Sequence, residues 1–533
     1  MTRATGAVIE DWFLVDAERC NRASDIRNWT TGNAVEPLVD GASYFPALYG
    51  ALCETTAGDQ IYFADFRADT EELLSGPGTS VGRILAELAE RGVLIFGLIW
   101  RSQPSWLDQS EGKNAELVRK LSDAGGEVLL DARTRRGGSH HQKFVVIRHP
   151  GRPERDVAFV GGIDLGLSRH DGSRHAGDPQ AMDFPAVYGE RPPWHDVQVA
   201  IRGPAVTDIE HTFRERWAGS TLLDLPSPVR MAIDRAYHAG KLVGRELPAP
   251  LPEPPTFGTH AVQVLRTYPA RLRRYPFAPL GERSIGHAYR KVLARARRLI
   301  YVEDQYLWAP FVADLIADAL RAQPDLHVIA VVPRFPDKDG PARWPSLVGR
   351  EQAIKVCRAA ARDRFAIYDI ENHAGTPVYV HAKVVVVDDV WAMIGSDNLN
   401  RRSWTHDSEM SCAVLDESVD EREPRDPAGM GDQARIFARE LRLQLWREHL
   451  DLDESAGQEM IDPLKAFDLM RRSADALQAW YDDGCAGDRP PGRLRPHAPE
   501  RLPRRHRPWA VPVYRLAYDP DGRSLRDRVR HRP

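Results

Sequence analysis

The 533-residue sequence lacks the features that mark several large classes of protein. No apolar run approaches the ~18 to 20 residues that a membrane-spanning helix needs, and the longest obvious one is residues 93–100. The N-terminal segment has no basic stretch followed by an apolar one, so we expect no secretion signal. Five cysteines, odd in number and without CxxC spacing, argue against a disulfide framework or a zinc knuckle and favour a reducing, cytoplasmic compartment.

Lysine is scarce, and the chain has no basic excess. Only nine of the 72 basic residues are lysine, and 76 acidic residues bring the net charge to −4. Because nucleic-acid-binding proteins normally carry a basic excess, we predict no nucleic-acid partner. The charge is spread unevenly: residues 489–533 carry thirteen arginines and four acids, a local net charge of +9, which leaves −13 on residues 1–488.

The sequence does contain an internal duplication. Residues 60–66 have the pattern of a strand that follows a helical stretch, and residues 299–306 repeat that order. Each is followed by a helical pattern and then by a buried-strand run, residues 93–99 in the first half and 328–332 in the second. Such helix-then-strand units require a sheet covered by helices. We therefore predict an α/β protein of two pseudo-symmetric lobes, each a mixed β-sheet flanked by helices.

Composition marks the boundaries between these units. Five prolines in nine residues interrupt the chain from Leu247 onward, so we place an N-terminal lobe at residues 1–246 and a Pro-rich linker at 247–256. A C-terminal lobe then covers residues 257–485, and an Arg/Pro-rich basic tail covers 486–533. We expect this tail to be partly disordered or to lie extended across the acidic body. The alternative is contact with an anionic membrane surface.

Two His-x-Lys triplets lie at matching positions of the two halves. His141 and Lys143 open one apolar, β-branched run, and His381 and Lys383 open the other. Random placement would give ~0.3 such triplets in a chain of this composition. Because residues two apart on a strand share a face, each histidine and its lysine point the same way. If the halves pack about a pseudo-twofold axis, two imidazoles and two ammonium groups converge on one shared active site.

This combination of groups is suited to phosphoryl transfer. Lysine supplies positive charge for the non-bridging oxygens of a phosphate, and histidine can be neutral or protonated near pH 7. One imidazole can attack phosphorus to form a phosphohistidine, while the other protonates the leaving oxygen and then activates water. The chemistry needs no metal, and we predict no cofactor.

Further polar residues follow the strands of both halves. A second strand in each half ends in a small-residue turn, and these turns carry Asp164 in the first half and Ser396 and Asn398 in the second. We expect them to hydrogen-bond substrate or the lysines. A catalytic histidine also needs a carboxylate on its other nitrogen, and aligning the halves puts Asp196 opposite Glu409. Surface acids and ordinary turn formers are the alternatives for these residues.

These motifs resemble those of the phospholipase D superfamily, whose signature is HxKxxxxD followed by GG or GSxN, twice per active site. The likeness covers most of residues 5–450. Lesser motifs around Gln305, at residues 193–197, at 203–206 and through 213–217 are similar to those of the phosphatidylcholine-cleaving branch.

The resemblance implies roles for individual residues. It makes His141 the nucleophile and His381 the general acid. It also implies that each histidine is held by the carboxylate of the opposite half, with Glu409 behind His141 and Asp196 behind His381. It also places Asp388 in the catalytic motif beside the two lysines, and Gln305 among the substrate-binding residues.

The resemblance further implies hydrolysis of the distal phosphodiester of glycerophospholipids to phosphatidate and a head-group alcohol. Transfer to another alcohol through the same intermediate is a side activity to expect. The alternatives are a phosphatidyltransferase similar to cardiolipin synthase and a non-catalytic module that binds anionic lipid. We expect a monomer in the cytoplasm that contacts the membrane surface transiently, with the basic tail as a candidate for that contact.

One residue departs from the family pattern. Arg148 stands where the first motif should have an aspartate, whereas the second has Asp388. Strand parity places Arg148 on the face opposite His141 and Lys143, so we interpret the missing aspartate as a structural anchor and expect Arg148→Asp to leave turnover within a few-fold.

Aromatic residues also lie near the motifs. Trp194, Tyr306, Trp308 and Trp404 are candidates for an acyl or choline pocket, because a quaternary ammonium group favours aromatic faces. Ordinary core packing is the alternative, and it is the interpretation that we favour for them.

Overall fold

The computed structural model describes residues 5–101, 110–218, 244–453, 457–524 and 527–528. Its strands are β1 (Thr30–Val39), β2 (Gln60–Asp65), β3 (Leu94–Trp100), β4 (Glu127–Asp131), β5 (Phe144–Arg148), β6 (Val157–Gly161), β7 (Trp194–His195), β8 (Val197–Arg202), β9 (His260–Tyr268), β10 (Glu282–Arg283), β11 (Leu299–Asp304), β12 (His327–Val331), β13 (Phe365–Ile370), β14 (Tyr379–Val380), β15 (Lys383–Val387), β16 (Trp391–Gly395), β17 (Glu409–Asp416) and β18 (Leu494–Pro496). Its helices are α1 (Thr5–Trp12), α2 (Asp16–Arg19), α3 (Gly41–Cys53), α4 (Val81–Glu90), α5 (Ser110–Asp123), α6 (Ala205–Trp217), α7 (Ser284–Arg295), α8 (Pro310–Ala322), α9 (Arg343–Ala361), α10 (Arg401–Thr405), α11 (Ile436–Leu450), α12 (Gln458–Ile461), α13 (Pro463–Asp482) and α14 (Arg507–Val513).

Most strands form one mixed sheet whose order repeats about its centre. The order is β18, β13, β12, β11, β15, β16, β17, β9, β1, β8, β6, β5, β2, β3 and β4, with β10 beside β9. At the centre, β1 and β9 are antiparallel, and Thr30 faces Val262. Outward from this pair, β8, β6, β5, β2, β3 and β4 match β17, β16, β15, β11, β12 and β13. The duplicated sequence pattern is therefore a duplicated half-sheet, which confirms the predicted α/β class with two pseudo-symmetric halves.

The apolar runs of the sequence are the strands that helices cover on both faces. β2, β3 and β4 are parallel neighbours in the first half, as are β11, β12 and β13 in the second. All residues of β2 and β11 are buried. Parallel strands of this kind need crossover helices, and burial on both faces requires continuous apolar sequence.

The two halves share one hydrophobic core on one face of the sheet. Helices α6 and α11, which follow the equivalent strands β8 and β17, supply the fully buried Phe213 and Trp446. The same cluster contains Val146 of β5 and Val386 of β15. The opposite face has separate cores, packed by α3, α4 and α5 in the first half and by α7, α8 and α9 in the second. The shared core fixes the halves against each other, which positions any site between them.

The predicted linker lies against the protein surface without regular secondary structure. Residues 247–256 are coil, and the carbonyl oxygen of Pro252 accepts a hydrogen bond from Arg148 at 2.6 Å. The end of the predicted N-terminal lobe falls partly on residues 219–243, which lie outside the described residues.

The basic tail folds onto the acidic body. Strand β18 extends the sheet beside β13, and the guanidinium groups of Arg489 and Arg495 lie 3.3 and 3.2 Å from Glu371. Helix α14 packs on α9, where Arg507 pairs with Glu351 at 2.6 Å. In the described part of the tail, the structure therefore has the segment laid across the body. Within the described ranges, no helix combines the length and apolar composition that crossing a bilayer requires.

Candidate active site

The two His-x-Lys motifs meet at one cavity between the halves. His141 and His381 precede β5 and β15, and both line a cavity of about 410 Å³. Lys143 and Lys383, two residues further on, are almost fully buried behind the residues that line the cavity. The sheet alternation that the spacing predicts thus places each histidine beside its own lysine.

Backbone pairing between the two halves brings each His-x-Lys motif next to the segment of the other half that carries Glu409 or Asp196. The N–H of His141 donates to the carbonyl oxygen of Ser408 at 2.9 Å, and the N–H of His381 donates to that of His195 at 2.7 Å. The short strands β7 and β14 pair in parallel, and His140 forms the equivalent bridge with Ser408. Because Glu409 and Asp196 directly follow the bridging residues, each carboxylate reaches the histidine of the opposite half.

Each imidazole is held by one carboxylate. The Nδ1 atom of His141 lies 2.8 Å from Glu409 Oε2, and Nδ1 of His381 lies 2.6 Å from Asp196 Oδ2. The other ring nitrogen, Nε2, is the one left for chemistry in the cavity. This is the crossed arrangement that the family resemblance implies, and the catalytic roles of these four residues stay a prediction.

The two buried lysines contact residues that line the cavity. Lys143 Nζ lies 3.2 Å from Asp164 Oδ1, and Lys383 Nζ donates to Gln305 Oε1 at 3.4 Å. Burial lowers the pKa of Lys383 to about 8. Burial alone would raise the pKa of Asp164, but Lys143 and Arg169 hold it well below its usual value. Asp164 is therefore an ionised partner of the first lysine.

His381 lies in surroundings that favour its neutral form. Burial, followed by the charges of Lys383 and Arg169, lowers the pKa of His381 well below its usual value. The free site therefore holds a neutral imidazole at this position. A phosphodiester anion bound against the lysines would raise this pKa, because it adds negative charge beside the ring.

The turn residues of the second half occupy two different positions. Asn398 lines the cavity, and its buried Oδ1 atom has no hydrogen-bond partner among the described residues. Ser396 lies behind the cavity, where its hydroxyl donates to Glu409 Oε2 at 2.6 Å. This contact differs from the one with phosphate that the sequence predicts for Ser396. Its position instead orients the carboxylate that holds His141.

Asp388 and Arg148, the equivalent positions of the two motifs, both lie away from the cavity. The Asp388 carboxylate accepts backbone N–H groups of residues 297–299 at 2.7 to 2.8 Å and so ties the end of β15 to the start of β11. Arg148 is buried and pairs with Asp156 at 2.8 Å and with Glu210. The parity prediction for Arg148 is confirmed. The catalytic assignment of Asp388 needs correction, because within the described ranges its carboxylate binds backbone N–H groups and does not line the cavity.

Aromatic side chains form much of the cavity wall. Trp194, Tyr306 and Trp308 line it, whereas Trp404 stacks on Tyr289 in the core with ring centroids 4.7 Å apart. Among the lining residues that sequence reasoning did not predict are Arg169, Asp337, Tyr379 and Tyr518. Arg169 stacks on Trp194 with its guanidinium carbon 3.9 Å from a ring centroid. Arg169 and Asp337 lie on loops, Tyr518 on the tail and Tyr379 on the two-residue strand β14, so no strand spacing signals their positions.

A buried polar network lies beneath the cavity. His195 contacts Asp40 at 2.9 Å and Glu303 at 2.8 Å, and His449 also contacts Glu303, at 2.7 Å. Two groups within it could hold a metal ion, since their ligand atoms lie within 4.8 Å of one another: Asp40, His175, His195 and Glu448, and His195, Glu303 and His449. Hydrogen bonds link the same residues, and the chemistry proposed below does not use them.

Two family models match the chain. The family model described as phospholipase D matches residues 70–245, and the cardiolipin synthase, PLD-like domain matches residues 290–422. Phospholipase D alpha 2 of Oryza sativa subsp. japonica is 24% identical, over 86% of this chain and 70% of its own length. Phospholipase D1 of Saccharomyces cerevisiae is 26% identical, over 81% of this chain but only 30% of its own length.

Among solved structures, the phosphatidylserine synthase of Haemophilus influenzae superposes with a TM-score of 0.48 at 14% identity, over 72% of this chain and 82% of that one. The two family models match the two halves that carry the His-x-Lys motifs, and the curated relatives span both. The chain therefore belongs to the phospholipase D superfamily.

Proposed function

We propose that the protein is a phospholipase D, which hydrolyses the distal phosphodiester of a glycerophospholipid to phosphatidate and a free head-group alcohol. The observation that carries the proposal is the pair of imidazoles at one cavity, each held through Nδ1 by a carboxylate from the opposite half. A cavity with only one such pair would supply either a nucleophile or an acid, whereas this reaction needs both.

In the first step, Nε2 of His141 attacks phosphorus, and the bond from phosphorus to the head-group oxygen breaks. The imidazolium of His381 gives its proton to that oxygen, so the alcohol leaves uncharged. In the second step, His381 takes a proton from water, and the resulting hydroxide displaces His141 from phosphorus. That proton leaves His381 when phosphatidate departs, so the free site again holds a neutral imidazole, and binding of the next substrate restores the protonated ring.

The surrounding charges support this sequence of steps. Lys143 and Lys383 provide positive charge for the non-bridging oxygens, and Asn398 offers a further donor. The low pKa of His381 in the free site requires the substrate to raise it, so protonation of this residue accompanies phosphate binding. Because of this coupling, His381 would be protonated when substrate occupies the site and neutral when the site is free.

The proposal is tested by measuring alcohol and phosphatidate released from phosphatidylcholine, phosphatidylethanolamine and phosphatidylglycerol. We expect release in the wild type and loss in His141→Ala and His381→Ala. His373→Ala is the matched control, because this histidine is largely exposed and lies away from the cavity. Release that survives both active-site substitutions would refute the proposal, and binding without release in the wild type would favour a non-catalytic lipid-binding module.

A phosphatidyltransferase is the second candidate, because one of the two matching family models is described as a cardiolipin synthase domain. The same phosphohistidine would serve both reactions, and only the acceptor would differ. Adding phosphatidylglycerol or a simple alcohol to the assay separates them. A transferase converts the intermediate to the new diester in preference to phosphatidate.

We also propose transient contact with an anionic membrane through the rim of the cavity. Leu272, Leu280 and Leu516 are 78%, 71% and 80% exposed. Arg135 links the segment of Leu272 and Leu280 to the segment of Leu516, because its guanidinium donates to the carbonyl oxygens of Ala270 and Gly522. Exposed leucines among arginines fit a charged lipid surface.

A further inference from the structure

A cluster of four side chains lies beneath the cavity and is not used by the proposed chemistry. Its members are Asp40, His175, His195 and Glu448, and each offers one ligand atom within 4.8 Å of the others. The first three are at most 2% exposed, and none of the four lines the cavity. A cation held by this cluster is therefore enclosed by protein and does not meet the substrate.

The four residues come from distant parts of the chain. Asp40 lies between β1 and α3, His175 on the loop that follows β6, His195 at the end of β7, and Glu448 on α11. The first three thus belong to the N-terminal half and the fourth to the C-terminal half. Zinc sites are recognised in sequence by ligands at short spacings, and this arrangement has no such spacing.

The ring of His195 is oriented to bind a cation through Nδ1. Its other nitrogen, Nε2, is hydrogen-bonded to Glu303 Oε2 at 2.8 Å, and Glu303 is also hydrogen-bonded to His449, at 2.7 Å. Because an ionised carboxylate can only accept, the neutral ring carries its proton on Nε2 and its lone pair on Nδ1. A carboxylate that accepts from the far nitrogen is the usual support of a metal-binding histidine.

The Nδ1 atom of His195 lies beside two carboxylate oxygens without a hydrogen bond to either. Asp40 Oδ1 is 2.9 Å away and Glu448 Oε1 is 3.2 Å away. Even so, within the described ranges this buried atom has no hydrogen-bond partner, and neither has Oδ2 of Asp40 or Nδ1 of His175. A proton on Nδ1 needs an acceptor in line with it, whereas a metal ion on the same lone pair also binds oxygens to its side.

The charge balance of the cluster also favours a cation. The side chains of Asp40, Glu303 and Glu448 are at most 10% exposed, and their ion-pair partners in the described part of the chain are histidines, with no lysine or arginine among them. Buried carboxylates are normally paired with a positive charge or bound to a metal. A divalent ion neutralises Asp40 and Glu448, whereas the metal-free network must hold several buried imidazolium groups.

We propose that Asp40, His175, His195 and Glu448 form a structural site for one zinc ion. Two imidazole nitrogens and two carboxylate oxygens are a set that zinc binds tetrahedrally, whereas calcium and magnesium prefer oxygen ligands alone. With bonds of about 2.0–2.1 Å, neighbouring ligand atoms of such a site are about 3.3 Å apart. Glu448 Oε1 already lies 3.0 Å from His175 Nε2 and 3.2 Å from His195 Nδ1, so the cluster needs only a slight expansion.

The zinc site ties the two halves together directly behind His381 and Asp196. The carbonyl oxygen of His195 accepts the backbone N–H of His381 at 2.7 Å, and Asp40 Oδ1 accepts that of Asp196 at 3.2 Å. Through Glu448, the ion connects these two backbone positions to α11 of the C-terminal half. Its role is structural, and the proposal does not depend on which reaction the protein catalyses.

The first test measures zinc bound to the full-length protein without substrate. After incubation with zinc and gel filtration, plasma mass spectrometry should find about one zinc per chain in the wild type. We expect His175→Gln and Glu448→Gln to lose it, and His373→Gln, which changes an exposed histidine, to keep it. Cobalt in place of zinc should give the intense visible absorption of a four-coordinate ion. No retained zinc, equal zinc in all four proteins, or the weak spectrum of six-coordinate cobalt would overturn the site.

The second test keeps the wild-type chain, so it does not depend on whether a variant folds. Thermal unfolding is compared after metal removal by a chelator and again after addition of zinc or calcium. Zinc at a hundredfold excess over its Kd should raise the unfolding midpoint by about 2 °C in a chain of this size, and calcium should not. A midpoint that zinc does not raise would refute the site and leave these residues as a hydrogen-bonded network of protonated histidines.

Discussion

Replacing Arg148 with leucine should destabilise the fold and leave the chemistry intact. The guanidinium is fully buried, contacts Asp156 at 2.8 Å and Glu210, and donates to the carbonyl oxygen of Pro252 at 2.6 Å. Removing it leaves two buried carboxylates short of a positive charge, which costs about 3–5 kcal/mol in comparable cases.

The structure places the expected loss near the lower end of that range. In the variant, Asp156 still accepts a hydrogen bond from the backbone N–H of His149 at 2.6 Å, and Glu210 still accepts one from Arg214 at 2.5 Å. Arg148→Asp should be worse than Arg148→Leu, because it buries a third acid beside the two. The sequence-based expectation that Arg148→Asp leaves turnover within a few-fold concerns the chemistry alone, and it stays a prediction for the folded fraction.

The assay is urea unfolding together with turnover per folded molecule. Arg152→Leu is the matched control, since its pair with Asp59 at 2.7 Å is one-third exposed on the arginine side and should contribute at most about 1 kcal/mol. We expect Arg148→Leu to lower the unfolding midpoint strongly while kcat of the folded fraction stays within about twofold of wild type. A normal midpoint with turnover reduced a hundredfold or more would refute the reasoning and place Arg148 in the chemistry.

Three further predictions follow from the site and its rim. Asp196→Asn removes the negative charge beside His381 Nδ1 and should lower kcat about 10²- to 10⁴-fold, which rapid-quench kinetics can measure. The circular dichroism spectrum should not change, because the fold stays intact. Since burial lowers the pKa of Lys383 to about 8, kcat/KM should fall as the pH rises through that value. Lys383→Arg should move this descending part of the pH profile to higher pH. A profile that does not move would show that a different group causes the fall. The double variant Leu272→Ser, Leu516→Ser should bind anionic vesicles about tenfold more weakly while cleaving short-chain micellar lipid normally, and unchanged vesicle binding would exclude this rim as the contact surface.

The sequence predicts the parts of the site that follow from strand geometry. A spacing of two places His141 with Lys143, and the duplication of the pattern implies that both motifs face one cavity. Aligning the halves also puts Asp196 opposite Glu409. These relations depend on local periodicity and on symmetry, which a sequence displays directly. The crossed contacts of these carboxylates with the two histidines do not follow from spacing, and only the family resemblance implies them.

Other features depend on contacts between distant segments, which no spacing reveals. Asp337 reaches the cavity because its loop packs near the tail, and Tyr518 reaches it only because Tyr514 and Asp519 anchor the last segment. Ser396 follows the family motif in sequence, yet its hydroxyl contacts Glu409 because the turn after β16 brings it behind that carboxylate. Charge composition alone left the tail undecided between lipid and protein, and the ion pairs with Glu371 are visible only in the fold.

The central claim is that a histidine of one half becomes covalently bound to phosphorus while the histidine of the other half acts as acid and base. Rapid acid-free quenching with lipid labelled at phosphorus, followed by peptide mapping, tests it most directly. We predict label on His141 in the wild type, accumulation of that label in His381→Ala with a substrate whose leaving group needs no proton, and none in His141→Ala. Label that survives His141→Ala but disappears in His381→Ala would reverse the roles, and no labelled histidine in any of the proteins would contradict the account.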